Sequence, residues 1–185
     1  MPDIPEHLVA AYKHLIGLRE TPPPGPWRKV PTRLVGGLTD VGFLDSSDTL
    51  IVVSHDGRGV FDCVTGERLA RDPSNDFEFD RANLLARGIG LLAGHLIRTA
   101  GLHGGGLALQ TPDGWQLECL TLAWPRDDLF LAPPGHWVLG RAFGKPADVT
   151  RLPVFSTLHA FGFSPTGRSM VVATSSELDI YSRDA

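Results

Sequence analysis

Cysteine is almost missing from this sequence. Cys63 and Cys119 are the only two in 185 residues. They lack CxxC spacing, and two thiols make neither a zinc site nor a disulfide framework, so both are expected as buried thiols in a reducing compartment. Long apolar runs are missing too: nowhere do about 18 apolar residues follow one another, as a membrane-spanning helix requires. The opening Met1-Pro2-Asp3-Ile4-Pro5-Glu6 has neither the basic nor the apolar region of a secretory leader. A cytoplasmic location without a membrane partner is expected. There is no basic surplus either. Seventeen Lys and Arg stand against 21 Asp and Glu, with a pI near 5.9. Such a balance leaves no footprint for a phosphate backbone and argues against nucleic acid as a partner.

The chain is rich in turn formers, with 21 Gly and 15 Pro, a composition that favours short strands over long helices. Its length suits one domain over residues 1–185. Within residues 7–19, Leu8, Ala11, Leu15, Ile16 and Leu18 fall at helical spacing and predict an amphipathic N-terminal helix in 1–20. Thr21-Pro22-Pro23-Pro24-Gly25-Pro26 stops that helix and starts a connector, so 21–36 reads as a Pro-rich linker followed by an extended closing strand. The β-repeat region is expected over 37–185. There Leu50-Ile51-Val52-Val53 is a β-branched run between the turn formers Ser46-Ser47-Asp48 and His55-Asp56-Gly57.

An internal echo carries the most information. Gly42-Phe43-Leu44-Asp45-Ser46-Ser47-Asp48-Thr49-Leu50-Ile51-Val52-Val53 aligns without gaps on Gly162-Phe163-Ser164-Pro165-Thr166-Gly167-Arg168-Ser169-Met170-Val171-Val172-Ala173, 120 residues later, and the same offset sets Val60-Phe61 against Ile180-Tyr181. A spacing of 120 is three times 40, near the repeat length of about 40 to 45 residues of a four-stranded propeller blade. Trp124-Pro125-Arg126-Asp127-Asp128-Leu129-Phe130-Leu131 fits a further copy at an offset of 80. Gly162-Phe163-Ser164-Pro165-Thr166-Gly167 resembles the turn that opens many WD-repeat blades, and Val60-Phe61-Asp62-Cys63-Val64-Thr65-Gly66-Glu67-Arg68-Leu69 resembles their end, with Phe61 in place of Trp. The resemblance spans about 39–70 and 158–183. Neither unit has a Gly-His dipeptide or a Trp-Asp pair, so the polar network that these supply in the family is not expected here. The resemblance implies a binding scaffold.

Strings that suggest chemistry fail in context. Gly88-Ile89-Gly90-Leu91-Leu92-Ala93 matches the letters of a dinucleotide fingerprint without its strand–helix setting. His103-Gly104-Gly105-Gly106 resembles the oxyanion element of lipases and esterases, but no GxSxG elbow accompanies it, and close backbone approach is the better account. The histidines, at positions 7, 14, 55, 95, 103, 136 and 159, form no HxH or HExxH pair. No catalytic residue, metal site or cofactor is therefore assigned.

These readings converge on an all-β fold: a small, four-unit propeller-like array with an N-terminal helix, or a β-sandwich made of the same hairpins. Residues 28–35 are expected to pair with 177–182 and cover the last unit's edge. The expected function is a non-catalytic protein-interaction module, in its specific form a bacterial immunity- or antitoxin-like inhibitor of a partner enzyme. Its surface is expected at strand-connecting turns: His55, Asp56 and Arg58, then His103, then Ser175 and Glu177. The alternative is a hydrolase, metal-assisted or dependent on His and Asp, whose site gathers His55, Asp56, His95, His103 and Asp113.

Overall fold

Short β-branched runs separated by Gly, Pro and Asp turns leave little room for helix. The computed structural model, which describes residues 4–31, 33–74 and 79–184, consists mainly of antiparallel strands with one α-helix. The all-β expectation holds. In chain order the elements are α1 (Glu6–Gly17), β1 (Arg28–Lys29), β2 (Arg33–Leu34), β3 (Leu38–Phe43), β4 (Thr49–Ser54), β5 (Gly57–Asp62), β6 (Arg68–Asp72), β7 (Phe79–Asp80) and β8 (Leu85–Arg87). They continue with β9 (Leu96–Arg98), β10 (Ala100–Gly101), β11 (Gln116–Ala123), β12 (Arg126–Ala132), β13 (Thr150–Leu152), β14 (Leu158–Phe163), β15 (Ser169–Thr174) and β16 (Glu177–Ser182). Two compact units result, one from Met1–Pro24 with Gln110–Val154 and the other from Gly25–Leu109 with Phe155–Ala185. Among the described residues no helix is long and apolar enough to cross a membrane.

In the first unit Glu6 sits in the first turn of α1, where a carboxylate complements the helix dipole. Ala11 and Leu15 form its buried stripe, and Leu15 packs with Phe130, Ala132, Val138 and Val149. The helix ends two residues before the expected 19, because Leu18 turns extended and Glu20 bridges to Arg151 of β13. Residues 1–3 of the expected N-terminal segment lie outside the described residues. The turn and strand read at 124–131 form the hairpin of β11 and β12, and β13 completes a three-stranded sheet.

The second unit contains the echo. In the first repeat Phe43 pairs with Leu50 and Leu50 with Phe61; in the second, Phe163 pairs with Met170 and Met170 with Tyr181. The register shift between Leu38 and Asp40 recurs between Leu158 and Ala160. Turn bonds recur as well: His55 N–H donates to Gly37 O as Ser175 N–H does to Thr157 O. Phe43 and Phe163 are both buried. Gly42 and Gly162 open the echo for a packing reason, since a Cβ would sit 2.3 Å from Arg98 O at the former and 2.3 Å from Leu107 Cβ at the latter.

Each repeat has an outer strand. Strand β6 follows β5 directly along the chain, whereas the second repeat receives β1 and β2 from far upstream. Arg28 pairs with Ser182, Lys29 with Tyr181, Arg33 with Leu178 and Leu34 with Glu177. The expected closing pairing of 28–35 with 177–182 is present, broken at Pro31, which has no N–H to donate; Thr32 lies outside the described residues.

The two repeats stack through different faces. Phe43, Leu50, Val52 and Phe61 of the first repeat pack on Ala160, Val171, Ala173, Leu178 and Ile180 of the second. The counterparts of Val171 and Ile180, which are Ile51 and Val60, face the other way, onto Ala86 and Ile97 of the sheet β7–β8–β9. The two repeats thus stack front to back, with the third sheet against the back of the first repeat. Asp48 ties the repeats at their turns, accepting from Ser164 Oγ at 2.7 Å and from Thr166 Oγ1 at 2.8 Å.

Candidate functional site

The offset of 120 shows where the first repeat departs from the second. Asp179 and Tyr181 fill the front face of the second repeat, and Lys29 Nζ lies 3.0 Å from the Asp179 carboxylate. At the Asp179 position the first repeat has Gly59. A cleft of about 630 Å³ lies at this position, lined by Val52, Gly59 and Phe61, by Leu34 to Gly36 and by Glu67, Arg68 and Arg71. Leu34 is 81% exposed at its rim. The Arg71 guanidinium is held there, donating to Asp56 O at 2.6 Å.

The back face of the first repeat differs as sharply. Ala160 and Leu178 of the second repeat, both buried and apolar, correspond to Asp40 and Arg58. Asp40 is 0% exposed, and its Oδ2 accepts from His103 Nδ1 at 2.7 Å, while Oδ1 has no hydrogen-bond partner among the described residues. Because a carboxylate only accepts, the hydrogen of His103 sits on Nδ1 and leaves Nε2 as the second ring position. The ring packs 5.2 Å from that of Phe79. A smaller cleft of about 240 Å³ gathers His103 with His55, Ser54, Phe79 and Arg81. Ser54 borders both clefts, so the turn His55-Asp56 is a ridge with His55 toward one and Asp56 toward the other.

The expected surface residues therefore separate. His55 and Asp56 are exposed, and His103 joins them through the smaller cleft. Ser175 and Glu177 are half-buried where β16 pairs with Leu34, a wall of the larger cleft. Arg58 is not a solvated flank. It is 7% exposed, with one guanidinium nitrogen 2.5 Å from Asp72 and another donating to Arg87 O at 2.7 Å. Asp72 is held below the usual carboxylate range by the Ser74 backbone N–H and then by Arg58. Of the alternative hydrolytic set, His95 is exposed in the turn before β9, and Asp113 belongs to the other unit. Among the described residues, no three His, Cys, Asp or Glu side chains are gathered as a metal would require.

Cys63 is buried, and burial followed by the charges of Asp48 and Asp62 pushes its thiol well up. Cys119 is half-buried and pushed up to about 11, chiefly by burial.

Sequence reading passed over Asp40, Gly59, Leu34, Arg68 and Arg81. A signal existed for two of them: at the offset of 120, Asp40 faces Ala160 and Gly59 faces Asp179, mismatches at positions that alternation marks as inward. Leu34, Arg68 and Arg81 carry no such mark. No protein-family model, curated protein or solved structure matches this chain.

Proposed function

We propose that this chain is a cytoplasmic, non-catalytic protein-interaction module on a small propeller-like array, and that its partner seats in the cleft beside His55-Asp56. The front-to-back stacking supports the array: units related by rotation place unlike faces together, whereas a two-fold sandwich of the same hairpins pairs like faces. One observation carries the binding reading. The larger cleft is lined by Gly59, where the second repeat has Asp179, and by an exposed Leu34 beside charges of both signs. An apolar rim residue at a hollow with mixed charge suits an anchor side chain of a protein partner. In its specific form the partner is an enzyme whose cleft this compact acidic chain blocks, as immunity and antitoxin proteins do.

A photo-crosslinking residue placed at Asp56, and another at Lys13 as control, tests this in cells that make the full chain. One protein captured at Asp56 and not at Lys13, and lost in Gly59→Asp, supports the module. Identical capture patterns at both positions sink it. The Asp40–His103 pair supports a second reading, a hydrolase using His103 as a base. Turnover of ester or phosphoester substrates by purified protein, abolished in His103→Ala, would replace the first reading with the second.

A further inference from the structure

The first unit carries a cleft that the interaction reading does not use. About 400 Å³ in volume, it is lined by His14 and Leu18 from the end of α1 and by His136, Arg141, Lys145, Ala147, Asp148 and Val149 from the long connection between β12 and β13. That connection is tightly built. Trp137 N–H donates to Pro146 O, and Lys145 N–H donates to Gly140 O. A Cβ on Gly140 would lie 2.5 Å from Pro146 O, so only glycine permits the close crossing. The 3-10 turn Gly140–Phe143 delivers Arg141 to the cleft, and Lys145 reaches it with its ammonium 5.8 Å from the Trp137 ring.

The donors line one cleft. His136 Nδ1 accepts the Asp148 N–H at 3.0 Å, so the hydrogen of the neutral ring is on Nε2, which is left as a donor. Arg141 and Lys145 add two fixed positive charges against the single carboxylate of Asp148. Burial, and then the nearby Arg141 charge, hold His14 below its ordinary value. This is a local excess of positive charge in a chain of formal charge −4. Leu18, Ala147 and Val149 form an apolar wall beside it.

We propose that this cleft binds a small phosphomonoester, its dianionic group held by Arg141, Lys145 and the His136 Nε2–H, and its organic part against Leu18 and Val149. Guanidinium, ammonium and imidazole N–H donors together match phosphate oxygens, and such charge-assisted bonds are the strong class. The carboxylate of Asp148 sets a limit on the charge the site tolerates.

Inorganic phosphate and phenyl phosphate are titrated separately into the full chain at constant ionic strength, with chloride as the balancing anion, while the ring signals of His14 and His136 are followed by NMR. Saturable shifts of both rings are expected, with phenyl phosphate binding tighter than phosphate because of the apolar wall. Arg141→Met, at an exposed position, should weaken both by roughly tenfold or more, and Lys145→Gln should weaken both to a smaller extent, with melting temperatures unchanged. Equal affinity for the two probes would leave a free-phosphate site and overturn the phosphomonoester. Linear shifts, shifts matched by chloride, or unaltered binding by Arg141→Met would overturn the site altogether.

Discussion

The two repeats of the second unit share a register and differ in what they bury. Around β14 to β16 the inward positions are apolar on the back, with Ala160 and Leu178, and a paired acid fills the front, with Asp179 against Lys29. Around β3 to β5 the back holds Asp40 and Arg58, and the front at Gly59 is hollow. One backbone pattern thus serves two purposes. The second repeat is closed and packed, whereas the first accepts charge in its interior and a cleft on its surface, costs that persist only where surrounding structure compensates them.

The sharpest test of equivalence is deletion of the matched rings. Phe163→Ala and Phe43→Ala should each cost about 3–5 kcal/mol, the former more because Phe163 also stacks 5.5 Å from Trp27. Urea unfolding measures both, and a near-neutral loss at either position would break the equivalence. Next comes Arg58. Arg58→Ala should cost about 1–3 kcal/mol, since it removes the donors to Asp72 and to the Arg87 carbonyl and leaves a void. Arg58→Leu, which installs the residue of the second repeat, should cost less because apolar volume is restored. Equal melting temperatures for the two variants would show that charge, not volume, governs the position.

Asp48→Ala removes the acceptor that links the two turns and should cost about 1 kcal/mol. Thr166→Val, which deletes one of the donors, should lose less. A smaller effect is expected at the surface: Asp56→Lys and Glu177→Lys should shift stability by no more than about 0.5 kcal/mol while weakening partner capture. Arg58→Asp will not share that neutrality, because the side chain is interior. Were all three reversals equally silent in a thermal melt, the burial of Arg58 would be refuted.

A pH-dependent difference is expected at Cys63, which stands where the second repeat has Arg183. Its folded thiol ionises well above the ordinary 9.0, so above that pH the folded state holds a proton that the unfolded state has released. Stability is then full below pH 9 and falls as pH rises past it. Cys63→Ala should flatten that alkaline loss in urea titrations at pH 8 and pH 10. An unchanged slope would mean that the loss comes from other groups.

Much of the second unit could be read from the sequence because a strand's side chains alternate with period two, so apolar alternation and turn residues recur together. The gap-free match of 42–53 to 162–173 transferred directly into matched hydrogen-bond registers. The closing strand was legible because residues 28–35 read as an extended run just before the first repeat, and it pairs with 177–182 as expected. Arg58 was misjudged because a charged residue next to an Asp-Gly turn ordinarily faces water. Its partners, Asp72 and the Arg87 carbonyl, lie 14 and 29 residues away, beyond any local pattern.

By itself, the sequence determined local and repeating features: the helix before the proline run, the strand registers, the turns and the interior position of both matched phenylalanines. These follow from backbone sterics and side-chain periodicity, which act over a few residues. Tertiary structure alone decided which faces stack, that Asp40 meets His103 across 63 residues, and that the missing side chain at Gly59 becomes a cleft rather than a packed contact. Those outcomes depend on what a neighbouring sheet brings to each position, and burial, charge pairing and empty volume are properties of that meeting.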